Sequence, residues 1–524
     1  MEDRRGDGHS RREFLTGVGS AGVALGTVTA WPGGEAGAVG PPVRGAQEAP
    51  GIQRFGRMFR EPPFAEDSPQ LQAALLEIAA PGGMLDAKDA LERGPIDLIV
   101  DPALSENNPN NPTHTAGTTF MGQFMDHDMT FDPTSRLAIP AVPLATKNFR
   151  SPAFDLDLVY GLGPFASHSL YDSSDAIKFK IETGGLFEDL PRAMDNSAVI
   201  PDPRNDENLI IAGLHAAVLL FHNHLVDEIR ATTALEPLDV FEEARRLTTW
   251  HYQWLILHEF LPQFIGQPMV DLIRQEGRRF FTPPVPIIPV EFQGAAFRFG
   301  HSMVRPSYRA NLAGDNGQPF FGFILDAADT GHPDPPDLSG GTRAPRRFIG
   351  WQTFFDFGDG EVKPNKAIDT KLSTPLFQLP PATIVRFTAT DIGPTSLPQR
   401  TLLRHITWAL PSGQRLARKM GASILAPGDL ADLSGFGLGL ERSTPLFLYI
   451  LREAELLEGG HRLGPVGGRI VGEVILGLLE TDPTSFLAVD PGWQPTIPSG
   501  AGPGAFRMVD FLTFAGVDPA SRGQ

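Results

Sequence analysis

The run at 207–232 places Leu209, Ile210, Leu214, Val218, Leu219 and Phe221 on one broad face at helical spacing. Apolar residues three and four apart meet on the same side of an α-helix, so this run predicts a long helix that must bury that face against other elements. The same periodicity appears at 68–78, 115–125, 240–264, 397–410, 445–457 and 467–480. Alternating strand patterns are few and short. The expected fold is mostly α: a single large helical domain with long irregular loops and little β. Stretches rich in Pro and Gly at 282–290, 312–346 and 494–504 read as long loops within that domain. No repeat of solenoid period is present.

Composition narrows the chemistry. The chain has no cysteine, which excludes disulfides, iron–sulfur clusters, thiolate-ligated haem and cysteine nucleophiles. Metal chemistry must therefore rest on its 13 His, on Asp and Glu, and on backbone carbonyls. A net charge of −18 argues against a nucleic-acid partner and against docking on anionic lipid. Near the start, Ser10-Arg11-Arg12-Glu13-Phe14-Leu15 leads into a mildly apolar, Gly- and Ala-rich run at 14–30, followed by Glu35-Ala36-Gly37-Ala38. Paired arginines, a weak apolar core and an Ala-x-Ala-like end predict a twin-arginine signal over 1–38. The expectation is an exported protein, periplasmic or extracellular, handled in its folded state by the twin-arginine machinery. A stretch at 31–52 rich in Pro, Gly and Ala supports a linker over 39–54. The domain is then expected over 55–517, with a C-terminal tail at 518–524.

Four polar constellations interrupt the apolar pattern. In Gln123-Phe124-Met125-Asp126-His127-Asp128, Gln123 and His127 share a helix face, which fits either a catalytic imidazole or a solvated helix cap. Asp202-Pro203-Arg204-Asn205-Asp206-Glu207 reads as a helix start, with Pro and acids at the positive end of the dipole. That reading leaves Arg204 unexplained. In Phe297-Arg298-Phe299-Gly300-His301-Ser302-Met303-Val304, Gly300 would let a flat ligand approach His301; the alternative is a core His bonded to backbone. The loop Ser151-Pro152-Ala153-Phe154-Asp155-Leu156-Asp157 offers Ser151, the Ala153 carbonyl, Asp155 and Asp157 as hard oxygen ligands, with Asp128 able to add a carboxylate. The alternative there is a polar turn.

In order and co-occurrence these motifs resemble the peroxidase–cyclooxygenase superfamily, the animal-type haem peroxidases, and in particular its bacterial members. Leu214-His215 with Phe221-His222-Asn223, Tyr252-Gln253-Trp254, Leu410-Pro411-Ser412-Gly413-Gln414, the run from Gly464 to Ile470 and the run from Phe511 to Val517 extend the likeness over 55–517. The resemblance implies a haem b peroxidase in which His127 is the distal histidine, Arg204 the distal arginine and Gln123 the distal glutamine. It implies His301 as the proximal ligand of the haem iron. Asp126 and Glu207 would be the carboxylates able to form ester bonds to haem. Asp128, Ser151, Ala153, Asp155 and Asp157 would be the calcium site. The partners implied are hydrogen peroxide and a small donor: a halide, a phenol or a lipid.

Two departures bear on the reading. Oxygenating members carry a Tyr three residues before the proximal His, where this chain has Arg298, and none of its five tyrosines stands at that position. This favours a peroxidase over a fatty-acid dioxygenase. A haem-binding or adhesion module with little turnover is the third reading, opposed by the joint presence of His127, Arg204 and His301. The second departure is Thr401, which stands where the resemblance expects an Asn accepting the proximal histidine's second ring proton. A shorter, β-branched side chain predicts a longer or absent bond to His301.

Overall fold

The computed structural model describes residues 53–384, 393–502 and 504–524. The expected signal at 1–38, and the expected linker at 39–54 up to residue 52, lie outside the described residues. Gln53 and Arg54, at the end of that linker, already belong to a strand, Gln53–Gly56.

The fold is mostly helical. Seven helices position the site: α1 (Pro69–Ile78), α2 (Gly117–Met129), α3 (Leu209–Thr232), α4 (Pro237–Leu255), α5 (Leu397–Thr407), α6 (Leu446–Glu458) and α7 (Pro465–Thr481). Their starts follow from side-chain capping. The Ser68 hydroxyl accepts from Leu71 N at 3.1 Å with Pro69 in the first turn. The Asn208 side chain accepts from Ile211 N at 2.9 Å and opens α3 two residues after the expected start. α3 is long and apolar enough to cross a membrane by length and composition, yet most of its apolar window is buried within the fold. It packs along α4 and against α2, while α5 packs on α1 and α6 on α7.

Two expectations need correction. The run at 240–264 is not one α-helix: α4 ends at Leu255, a π-turn spans Ile256–Phe260, and a short helix, Leu261–Ile265, follows. Pro262 has no N–H to return to the His258 carbonyl, and that carbonyl accepts from Arg507 Nη1 at 3.0 Å instead. The stretch at 312–346 is not all loop. A hairpin pairs Ser307–Asp315 with Gln318–Phe323, in a register that sets Tyr308 opposite Gly322. Asn316 and Gly317, both at positive φ (53° and 84°), form its turn. An Asn-Gly pair fits the backbone twist that a tight antiparallel turn requires.

The remaining sheets are small. Gln53–Gly56 pairs antiparallel with Lys147–Asn148 and parallel with Ile288–Pro289, and Asn110–Thr115 pairs with Pro364–Lys366. Residues 518–524, set apart as a tail by sequence, are docked. Arg522 reaches Glu188 and donates to the Ile349 carbonyl at 2.5 Å.

Candidate functional site

A cavity enclosing about 1060 Å³ of empty space, its mouth included, lies where α2, the segment before α3 and the turn carrying His301 meet. Gln123, Asp126 and His127 of α2 line it, together with Glu207, Asn208, Arg298 and His301. The rest of the wall is largely apolar, with Phe264, Phe297, Phe299, Leu376, Leu379 and Leu397 among its members. The four-residue spacing that put Gln123 and His127 on one helix face therefore delivers both to one cavity. His127 is buried, not a solvated cap.

The histidine's environment fixes its charge and its orientation. Burial, with the Arg204 cation adding to it, pushes the His127 pKa down to about 4, so the ring is neutral at ordinary pH. Its Nδ1 lies 2.7 Å from Asn205 Oδ1. Beside it, Gln123 Nε2 donates to Glu207 Oε1, and Gln123 Oε1 accepts from Asn208 Nδ2 at 3.3 Å. Burial raises the Glu207 pKa to about 8; Asp202 and Asp126 add to this and Arg204 opposes it.

Arg204 is not among the cavity-lining residues. Its guanidinium grips Asp202 at 3.0 and 2.7 Å, and Nη2 also donates to the carbonyls of His127 (3.0 Å) and Thr130 (2.7 Å). Burial opposes the charges, but each holds the other ionised: the Asp202 pKa is depressed and the Arg204 pKa raised. Arg204 thus ties the end of α2 to the turn before α3, and acts on His127 as a nearby positive charge.

His301 sits in the short helix Gly300–Met303. Burial pushes its pKa well down, and the cations of Arg298 and Arg404 add to the effect. Thr401 of α5 faces it: Oγ1 lies 3.5 Å from His301 Nδ1 and donates to the Leu397 carbonyl at 3.1 Å. The long approach is what a Thr at this place predicts. Arg298 donates through Nε to the Gln293 carbonyl at 2.8 Å. Burial, and then Arg404, lower its pKa to about 9.

The end of α2 meets the loop at 151–157. Carboxylate oxygens of Asp128, Asp155 and Asp157 lie within 4.8 Å of one another. Ser151 Oγ donates to Asp155 Oδ1 at 2.7 Å, and Ser151 N to Asp157 Oδ2 at 3.2 Å. Ala153 is buried in the same loop. Burial and the neighbouring carboxylates push the Asp128 pKa well up and that of Asp157 to about 7. Asp128 Oδ1 is buried with no hydrogen bond of ordinary length among the described residues, although the Tyr252 hydroxyl lies close enough to feel the carboxylate. Arg150 Nη1 reaches Asp157 at 3.4 Å, and three crowded carboxylates beside that single cation fit a hard cation that adds further positive charge.

Residues 142–319 match the animal haem peroxidase family. Over that segment the chain is similar to the animal haem peroxidases. The matched segment holds the 151–157 loop, Arg204, Glu207 and His301, and stops short of α2 and α5. The human probable oxidoreductase PXDNL is 34% identical over 113 residues, 21% of this chain and 8% of that protein. Human thyroid peroxidase is 28% identical over 138 residues, 26% of this chain and 13% of that protein. The matches thus span only a small part of these relatives. Among solved structures, peroxidase A from Dictyostelium discoideum aligns at TM-score 0.58 with 16% identity, over 84% of this chain and 89% of that one. A fatty acid alpha-dioxygenase from Arabidopsis thaliana aligns at TM-score 0.52 with 15% identity, over 78% and 73%. These two likenesses carry the fold.

The family matched over 142–319 implies haem, and the residues lining the cavity are of a kind that would suit one. A haem brings a flat apolar ring, an iron that takes a neutral imidazole, and carboxylate side groups. The cavity offers an apolar wall, His301 held neutral, and the half-buried Arg298 cation with Arg404 and Arg400 close enough to repel it. Anionic groups placed there would relieve that repulsion. Sequence reasoning did not single out Asn205, His215 or Asp202 for a role. The available signal was the polar Asn205 lying between Arg204 and Glu207 in a turn that a helix start alone does not account for.

Proposed function

We propose that the chain is a haem peroxidase that reduces hydrogen peroxide and oxidises a small donor. The observation that carries this reading is His127: neutral, buried in the wall of the cavity that also holds His301, and held through Nδ1 so that Nε2 remains for chemistry. The haem, held by His301, would supply the redox centre at which the O–O bond is broken. His127 removes a proton from one peroxide oxygen and returns it to the other, general base and then general acid. Arg204, locked in the charged state by Asp202, biases His127 toward its neutral form and favours negative charge developing nearby. Gln123 and Glu207 hold one another and define one edge of the cavity. Asp126 and Glu207 both line it, which supports them as the carboxylates that could form ester bonds to haem.

The further parts of the proposal are calcium at Asp128, Ser151, Ala153, Asp155 and Asp157, and export by the twin-arginine machinery on the strength of Arg11 and Arg12. Calcium there would crosslink α2, next to His127, to the 151–157 loop. The test of function is steady-state turnover of haem-loaded protein with peroxide against halides, phenols and unsaturated fatty acids. Peroxide-dependent oxidation of a halide or phenol, reduced about 10²–10⁴-fold in His127→Ala, supports the reading. Undiminished activity in that variant overturns it.

A fatty-acid dioxygenase is the second reading, favoured by the apolar wall. It would need a radical-bearing tyrosine at the cavity, and among the described residues no tyrosine lines it. Oxygen-dependent fatty-acid oxidation lost in a single Tyr→Phe variant would bring this reading forward.

A further inference from the structure

Behind His127 runs a chain of three buried side chains. His127 Nδ1 lies 2.7 Å from Asn205 Oδ1, and Asn205 Nδ2 lies 2.9 Å from His215 Nδ1. Asn205 comes from the turn Pro203–Asp206, which Asp202 caps by accepting from Arg204 N at 3.0 Å, and His215 from α3. All three side chains are buried, Asn205 and His215 completely.

We propose that Asn205 and His215 are positioning residues that lock the tautomer of His127, placing its proton on Nδ1 and leaving Nε2 as the bare nitrogen. An amide has one accepting and one donating end, so its orientation dictates which nitrogen of each flanking imidazole carries a proton. With Oδ1 toward His127, that ring must donate from Nδ1. With Nδ2 toward His215, the second ring must accept at Nδ1 and carry its own proton on Nε2. His215 Nε2 is buried with no hydrogen-bond partner among the described residues. An unmade buried bond is costly, so the arrangement that fixes the proton at His127 carries its cost at His215. Burial keeps His215 neutral, its pKa pushed down to about 3, so it stays able to accept from Asn205. A freely exchanging His127 would spend part of its time with the proton on Nε2, where it cannot act as a base.

The tautomer lock stands on geometry alone; its catalytic consequence rests on the reading of His127 as the base. The experiment is ¹⁵N NMR of histidine-labelled, haem-loaded protein in its diamagnetic ferrous carbon monoxide form, with single-turnover peroxide kinetics alongside. Expected in the native protein are a protonated Nδ1 at His127 and a protonated Nε2 at His215. Asn205→Ala should average the two nitrogens of His127 and slow the peroxide step by about 10–100-fold, short of the full loss of the base. Asn205→Asp separates a lock from mere packing. A carboxylate can only accept, so His127 should keep its proton on Nδ1 while His215 moves its proton to Nδ1. A native His127 protonated on Nε2 overturns the proposal, as does an Asn205→Asp protein in which His215 does not change tautomer. If the tautomers behave as stated and His127→Ala is fully active, the lock stands and the reading of His127 as base fails.

Discussion

Thr401 Oγ1 lies 3.5 Å from His301 Nδ1 and gives its proton to the Leu397 carbonyl at 3.1 Å. The hydroxyl's lone pairs face a ring N–H at the outer limit of hydrogen bonding, so His301 receives little help in becoming electron-rich. Replacing Thr401 with Asn supplies a longer, stronger acceptor. Thr401→Asn should move the ferric/ferrous potential of the haem-loaded protein to more negative values. The shift should be on the order of 60 mV, a tenfold change in the relative stability of the two oxidation states. Thr401→Val should leave the potential near its starting value, because little is lost. Spectroelectrochemical titration reads both, and an unchanged potential in Thr401→Asn would mean that the side chain does not reach His301.

The carboxylates of Asp128, Asp155 and Asp157, outside the cavity wall, predict a metal dependence. Elemental analysis should find about one calcium per chain, as one oxygen-rich loop provides. Chelation should lower the melting temperature and loosen the haem pocket together, because Asp128 follows His127 on α2. Asp155→Asn should weaken calcium binding while leaving the fold intact at high calcium. A chelated protein with unaltered melting temperature and unaltered haem absorption would count against the site.

Glu453 predicts a pH dependence of stability away from the cavity. Its carboxylate is fully buried and accepts from Val466 N at 2.9 Å and Gly467 N at 3.2 Å at the start of α7. Burial outweighs these bonds and raises its pKa to about 8, from an ordinary value of 4.5. The folded state therefore holds a proton that the unfolded chain has released. The contribution is fully present below pH 4.5, is lost as pH rises through the window from 4.5 to about 8, and stays absent above it. Glu453→Gln should remove that slope and make the variant the more stable form at pH 9, by a few kcal/mol in order of magnitude. Urea denaturation of both proteins at pH 5, 7 and 9 measures the difference.

The helices were legible because each carries its own apolar face and its own start signal, as Ser68 with Pro69 and Asn208 show. The break inside 240–264 was signalled by Pro262, but its form was not, because the relief comes from Arg507, some 250 residues away along the chain. The Asn316-Gly317 turn is hidden in the sequence by the Gly- and Pro-rich stretch around it, which has the composition of uninterrupted loop. At the site, spacing on one helix placed Gln123 and His127 together, and the loop pattern placed Asp155 beside Asp157. What spacing does not reveal is direction: Arg204 turns to Asp202 and the C-terminal end of α2, not into the cavity wall. Nor does it disclose that Asn205 joins two histidines, since the three residues come from α2, the turn at 203–206 and α3.

Gly340 offers a test of how rigidly Glu207 is held. A Cβ built on Gly340 would stand 1.7 Å from the Asp206 carbonyl oxygen and 2.5 Å from its carbon, both backbone atoms. Gly340 N donates to the Glu207 carbonyl at 3.1 Å, so this loop closes directly over the turn that carries Glu207. Gly340→Ala can be accommodated only by moving that backbone, because no flexible side chain is available to give way. Overpacking of this kind costs about 1–3 kcal/mol, which thermal denaturation should report as a lowered melting temperature. Gly428→Ala is the control: nothing lies within 4 Å of a Cβ there and its φ is not positive. The displaced Glu207 should also lose its contact with Gln123. In peroxide-treated, haem-loaded Gly340→Ala, mass spectrometry should then find any haem adduct at Glu207 diminished while one at Asp126, on α2, persists. Equal adducts at both positions, with an unchanged melting temperature, would show that the turn at 203–207 yields without moving Glu207.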